Sequence, residues 1–347
     1  MSHQSTMIIC GNSALDYHRV SNGAQFPGYE EILVRSTRTI RKHDQHFKRV
    51  VEVLDQLDLP APLHLLSTGP GDRKNSVLAK YHYYAQQPQV GDLIKLDENI
   101  YVCAPELALA QASVRAGIAA IDLLILEFCG TYLLSPRSDS GFIGTSAPLL
   151  TLAQIEQAFK DKKRVPGYAM QPRLQALEVA AENSNSPAES AVHAILSLPV
   201  GYGGYGISGI ELNRKIPLDS KAARMVGVDA IRPDFFIGKA NTVGEYKSLM
   251  YHPEGTWTND DTRIDAFESM GYHTFTLNNE RVRNLPDLTT IAQSIQTRSG
   301  ELMIQPSGED LMRRLDLHRR LFHAPTQTPR SSNYPSKFGR LPNSIDF

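Results

Sequence analysis

Arg232-Pro233-Asp234-Phe235-Phe236-Ile237, followed by Val243-Gly244-Glu245-Tyr246-Lys247, decides the reading of this chain. Both segments are apolar and rich in strand-forming residues, and Gly238-Lys239-Ala240-Asn241 between them has turn composition. The pattern predicts a hairpin: a strand over Ile231–Ile237, a turn, and a strand over Thr242–Lys247. Side chains alternate along a strand, so Glu245 and Lys247 share a face while Tyr246 points away. A tight turn lets Asp234 reach the same sheet edge. Two carboxylates suit a hard cation, Mg²⁺ or Mn²⁺, which takes oxygen ligands at ~2.0–2.1 Å and keeps several waters. An ammonium beside a scissile phosphate orients the attacking water or steadies the developing charge. The plainer alternative is that Pro-Asp and Glu-x-Lys co-occur by chance, with Lys247 paired to a carboxylate at a sheet edge.

Around the hairpin the sequence alternates helix and strand patterns. A helix is expected over Pro187–Leu198, then a glycine-rich loop, the two strands, a helix over Asp260–Met270, a strand over Tyr272–Leu277 and a helix over Leu288–Ile295. Gly271 stands where a helix C-terminal cap belongs. This order predicts an α/β (α+β overall) layer arrangement with a small mixed sheet flanked by helices.

Further candidates surround the two segments. Ser186-Pro187-Ala188-Glu189 fits a capping box with Pro at the first helical position, so Glu189 either caps its helix, joins the metal site, or does both. His193 lies one turn on and reads as structural. His252, after the Glu-x-Lys strand, is either a general acid or base, a metal neighbour, or an ordinary loop histidine. Arg263 clamps a phosphate or makes a surface salt bridge. Arg263 and Tyr246 are the candidate phosphate or substrate contacts. Gly201-Tyr202-Gly203-Gly204-Tyr205-Gly206 lacks a following Gly-Lys-Ser/Thr, which excludes a Walker loop. Its glycines are expected to permit tight turns or close backbone approach, and its tyrosines are candidates for base stacking.

Residues 1–150 form a separate compositional unit, expected to be a mostly helical domain with a β-hairpin. Leu93–Leu96 and Ile100–Cys103 flank the turn residues Asp97-Glu98-Asn99, and Pro105 opens a helix. Ala119–Cys129 reads as a continuation of it or a second helix, closed by Gly130. Arg35 to Arg49 carries six cations that read as a solvated helix face or a phosphate-contacting surface. Residues 136–150 read as a loop and linker, 151–300 as the second domain, and 301–347 as a C-terminal helix with a disordered tail or interaction arm beyond His323.

The 347 residues carry a net charge of -1, 41% hydrophobic and 21% charged residues, which suits a globular protein. No global basic excess advertises nucleic acid, so a nucleic-acid surface must be local. Three scattered cysteines, Cys10, Cys103 and Cys129, make a disulfide framework or structural zinc site unexpected and point to a reducing cytoplasm. No secretory leader pattern is visible. The apolar stretch from Ala116 to Phe128 is interrupted by Asp122 and Glu127 and is too short to span a bilayer.

Ser186–Ser190, Leu198-Pro199, Gly203–Gly206 with Asn213, Arg232-Pro233-Asp234, Glu245-Tyr246-Lys247 and Asp261-x-Arg263, in that order, resemble the PD-(D/E)XK nuclease superfamily. Within it they look most like very-short-patch-repair (Vsr) endonuclease domains. The likeness covers about residues 165 to 300. It implies a restriction-endonuclease-like core, with Asp234 and Glu245 as metal-binding carboxylates, Lys247 as catalytic lysine and Glu189 as the acidic residue of the preceding helix. Related domains often lose the lysine, which this chain keeps. The zinc-ligand cysteines of Vsr proteins are missing, which argues against mismatch repair. The first half resembles AbiEi-type antitoxins, which are transcriptional regulators, through Val102–Leu107 and Leu126–Tyr132. Together the resemblances imply a metal-dependent DNA endonuclease of phage or mobile-element defence, or alternatively a DNA-binding regulator whose nuclease-like domain does not cut. DNA is the expected partner and RNA the next. A protein partner or a second copy stays open, and no membrane is expected.

Overall fold

The computed structural model describes residues 6–21, 44–67, 75–83, 88–113, 116–135, 137–161, 169–247, 257–300 and 305–323. Most of the Arg35–Arg49 cationic stretch, His252 and the tail beyond His323 lie outside the described residues. The fold is mixed α/β, with small mixed sheets flanked by helices.

The first half is built from β1 (Met7–Ile9), α1 (Gly11–Val20), α2 (Asp44–Gln56), β2 (Leu63–Ser67), β3 (Ala79–Tyr83), β4 (Leu93–Asp97) and β5 (Ile100–Cys103). They form one five-stranded sheet in the order β3-β2-β1-β5-β4. The expected β4–β5 hairpin is present, with Asn99 in the left-handed region its turn needs. The other three strands correct the expectation of a mostly helical domain with a lone hairpin. β1 lies parallel to β5, whose residues follow more than ninety positions later, and short buried segments paired at that range leave no local pattern. β3 also exposes Lys80, His82 and Tyr83, so it lacks an apolar alternation to read.

Next come α3 (Pro105–Ala112), α4 (Ile118–Phe128), β6 (Tyr132–Leu134) and β7 (Phe142–Gly144). Helix α4 is apolar almost all round and is buried accordingly. Its charged pair is accounted for differently at each end: Glu127 takes two hydrogen bonds from Arg19, at 2.8 and 2.7 Å, and Asp122 is fully buried. Gly130 follows the helix without a positive φ; its reason is space, since a Cβ there would meet the Ser184 carbonyl oxygen at 2.5 Å. β7 falls in the stretch expected to be loop, where it pairs with β6.

The second half contains α5 (Leu152–Lys160), α6 (Met170–Val179), α7 (Pro187–Ser197), β8 (Ile210–Leu212), β9 (Ile216–Pro217), α8 (Ser220–Val226), β10 (Ala230–Ile231), β11 (Phe235–Ile237) and β12 (Thr242–Lys247). After these come α9 (Trp257–Ser269), β13 (His273–Asn278), α10 (Asn279–Arg283), α11 (Leu285–Ser299) and α12 (Gly308–Phe322). A four-stranded sheet runs β13-β12-β11-β8, antiparallel except for the β12–β13 pair, which α9 connects as a parallel crossover. The expected strand Ile231–Ile237 is split. Arg232, Pro233 and Asp234 leave the ladder, Pro233 having no N–H to donate to it. β10 pairs instead with β9.

The two faces of this sheet explain its sequence. Phe235, Ile237, Phe275 and Leu277 join the large core cluster that reaches from Met7 to Leu317 and includes Ile195 of α7 and Leu288 of α11. Phe236 and Val243 face the other way, onto Phe267 of α9 and Tyr272. Fully burying each phenylalanine contributes roughly 1.5–3 kcal/mol, and toward its end β12 passes from buried Thr242, Val243 and Gly244 to half-buried Glu245, Tyr246 and Lys247. Gly244 is required there, because a Cβ would run into the Phe275 ring of the neighbouring strand. In the glycine-rich loop the same reasoning holds for Gly204, where a Cβ would collide with the Leu198 backbone. Among the described residues no helix is long and apolar enough to cross a membrane.

Candidate functional site

The β11–β12 register pairs Phe235 with Gly244, and one step further it brings Asp234 level with Glu245. Asp234 sits in the bend just before β11, and its Oδ2 accepts the Tyr246 backbone N–H at 2.6 Å. This bond ties the Asp234 carboxylate to the backbone between Glu245 and Lys247. Glu245 and Lys247 lie two apart on β12, on the face that carries Val243 and looks toward α9.

Glu189 enters from the first turn of α7. Ser186 Oγ accepts the Glu189 N–H at 3.2 Å and donates to Glu189 Oε1 at 2.9 Å. Glu189 Oε2 accepts from the Asn185 N–H at 2.9 Å and from Asn213 Nδ2 at 2.7 Å. Asn213 closes the link, because its own N–H donates to the Asp234 carbonyl at 3.2 Å. Glu189 therefore braces the start of its helix and reaches the site through one asparagine. Burial, and secondly the negative charge of Asp234, push Glu189 up to about 7, against the pull of its donors from Asn185, Asn213 and Ser186.

Helix α9 covers the remaining groups. Arg263 Nη2 donates to Glu245 Oε1 at 2.9 Å and to the Arg232 carbonyl at 2.7 Å. Lys247 Nζ lies 3.2 Å from Asp261 Oδ1. Of the two roles open to Arg263, the structure displays the salt bridge. Tyr246 points to the opposite face, as alternation requires, and its hydroxyl donates to Asn279 Oδ1 at 2.6 Å. His193 is buried away from this site beside Asp122 and Ser197, and Tyr205 is buried with the Arg314 guanidinium over its ring, which removes it as a base-stacking platform. Tyr202 is partly exposed, with its hydroxyl on Gln175.

Asn213 and Arg232 are parts of the site that carry no assigned role in the sequence reading. Arg232 Nη1 donates to the Asn213 carbonyl at 2.8 Å and so fixes the turn that presents Asn213. Asn213 has φ +51, a conformation that Asn tolerates better than most residues. An isolated asparagine after a three-residue strand gives no periodic signal, so only the fold reveals its partners.

Asp234, Glu245 and Glu189 are oxygen donors of the type a hard divalent cation takes. Glu189 and Asp234 are close enough for one charge to disfavour the other. Glu245 is the third oxygen donor at this edge and is held by Arg263. Among the described residues no three His, Cys, Asp or Glu side chains are arranged to hold a metal ion. No family model matches the chain, and no curated protein or solved structure matches it.

Proposed function

We propose that this chain is a metal-dependent endonuclease hydrolysing nucleic-acid phosphodiesters, with DNA as the substrate and a role in phage or mobile-element defence. The observation that carries the reading is the meeting of Asp234, Glu245 and Lys247 at one end of the β11–β12 pair, with Glu189 joined to them through Asn213. Asp234, Glu245 and Glu189 would hold Mg²⁺ or Mn²⁺. When bound, such an ion lowers the pKa of water and neutralises charge on the scissile phosphate. Lys247 supplies a fixed positive charge at the same edge, where it stabilises the extra negative charge of the transition state. Arg263 sets the direction of Glu245 and, released from it, meets a phosphate oxygen in the bidentate manner of guanidinium groups. The test is cleavage of DNA and of RNA by the purified full chain with added Mg²⁺ or Mn²⁺, wild type against Lys247→Ala.

A second reading has its own support. Glu245 and Lys247 both have α9 partners, Arg263 and Asp261, an arrangement that suits a nuclease-like domain that binds DNA without cutting it. An AbiEi-like regulator of this kind would hold duplex DNA in the same assay and leave it intact.

A further inference from the structure

An open cleft of about 410 Å³ lies between α10 and α12, lined by Arg283, Leu285, Leu315, His318, Arg319 and His323. Its charge balance is one-sided: two guanidiniums and two imidazoles line it, and no carboxylate does. Among the described residues, neither Arg283 nor Arg319 has an ion-pair partner. Their neighbours on α12 behave otherwise: Arg313 pairs with Glu309 and Asp310, and Arg320 with Asp316 at 2.6 Å. Converging cations without a counter-charge repel one another, and an anion in the cleft reverses that cost.

The cleft walls are fixed. His318 Nε2 donates to the Val282 carbonyl at 2.8 Å, and His323 Nε2 to the Arg283 carbonyl at 3.1 Å. The two imidazole rings lie 5.1 Å apart, and the His318 ring also packs on Phe322. These contacts hold α10 against the end of α12 and set both guanidiniums around one space.

The cleft lies near the end of β12 along the chain, on the side of the sheet that carries Tyr246. The last residue of β13, Asn278, pairs with Lys247, and α10 begins at the next residue. Arg283, at the far end of α10, is about 7 Å along the helix from that point. It is near enough to Tyr246 for its charge to act on the phenol, while the Tyr246 hydroxyl donates to Asn279.

We propose that the α10–α12 cleft binds a phosphate group of the same nucleic-acid strand that runs across Asp234, Glu245 and Lys247, with Arg283 and Arg319 as its cationic contacts. The inference rests on the nuclease reading for the identity of the strand, and its test does not require cleavage. Binding of fluorescent single-stranded and duplex DNA oligonucleotides is measured by anisotropy with chelator present, across a salt series. The proteins are wild type, the Arg283→Gln/Arg319→Gln double variant, and Arg320→Gln as a control that alters a paired arginine of the same helix. Thermal melts establish that each is folded.

The double variant is expected to lose roughly tenfold in affinity for every sequence tested. Its slope of log K against log salt should shrink by about 1.4 for single strands and 1.8 for duplex, the loss of two phosphate contacts. Arg320→Gln should match wild type. Equal affinity and equal slope for wild type and double variant overturn the inference, as does failure of wild type to bind either oligonucleotide. Competition by inorganic phosphate at low millimolar concentration, with DNA binding indifferent to the two arginines, makes the cleft a small-anion site and also overturns it. Binding that depends on the arginines in a protein that never cuts supports the cleft and defeats the nuclease reading instead.

Discussion

Arg263 donates to Glu245 at 2.9 Å while the same Nη2 donates to the Arg232 carbonyl, so one guanidinium fastens α9 across both edges of the candidate site. The contact competes directly with any cation for Glu245. The Arg263 side chain is about one-third exposed, so the pair is worth no more than ~1 kcal/mol. Arg263→Ala is expected to tighten Mn²⁺ binding by roughly fivefold and to lower cleavage through loss of the phosphate contact. Titration calorimetry with Mn²⁺ alone reads the first effect. Unchanged or weaker binding would mean that Arg263 does not hold Glu245 away from the ion.

Glu189 is buried and satisfies donors on Ser186, Asn185 and Asn213. Truncating it leaves one N–H of the buried Asn213 amide and the half-buried Ser186 hydroxyl unpaired, at about 1–3 kcal/mol. Glu189→Ala should therefore lower the unfolding free energy by that amount, whereas Glu189→Gln, which keeps the volume and one acceptor, should lose less than half as much. Urea unfolding of the two variants checks this. Equal stability of both with wild type would leave Glu189 with no structural duty.

Gly244 faces the Phe275 ring, its partner in the β12–β13 register. Gly244→Ala overpacks this face and should cost about 1–3 kcal/mol, with loss of cleavage beyond what stability explains because Glu245 is the next residue. Urea unfolding and cleavage are measured on the same preparation. A variant with wild-type stability and activity would show that the Phe275 ring yields.

Asp122 is fully buried, and neither carboxylate oxygen has a hydrogen-bond partner among the described residues. Burial raises it to about 8, and His193 Nδ1, 4.0 Å away, belongs to an imidazole lowered by burial to about 4. Both are therefore neutral at pH 7 in the folded protein. Asp122 binds its proton more tightly folded than unfolded, so its contribution is present at low pH and is lost as pH rises toward 8. His193 has the opposite sign: its contribution is lost as pH falls from 6.5 toward 4. The two slopes oppose one another below pH 6.5, and above it only that of Asp122 remains. Wild-type stability should fall between pH 6.5 and 8, by at most ~1.4 kcal/mol per unit from this group, and Asp122→Asn should flatten the fall. Parallel profiles for the two proteins would contradict the assignment.

The site was legible where local rules govern. Thr242–Lys247 reads as a strand because Thr, Val and Tyr favour it and the period is two, and β12 has those limits. Pro187 and Ser186 mark the start of α7 by capping chemistry alone. Long-range pairing was not legible. Nothing local tells Met7–Ile9 that it will lie beside Ile100–Val102, or that Asn213 will donate one hydrogen bond to Glu189 and another to the Asp234 carbonyl. Arg263 shows the limit most clearly: its presence near the site follows from helix and strand order, but its choice of Glu245 over a free surface position depends on how α9 crosses the sheet.

The most direct measurement is nicking of supercoiled plasmid by the full chain with Mg²⁺ or Mn²⁺, run side by side for wild type, Asp234→Ala and Lys247→Ala. Metal-dependent nicking by wild type that chelator abolishes, with each variant slower by about 100-fold or more, is the predicted result. Equal residual nicking by all three proteins, or none by wild type under any divalent ion, would contradict the central claim.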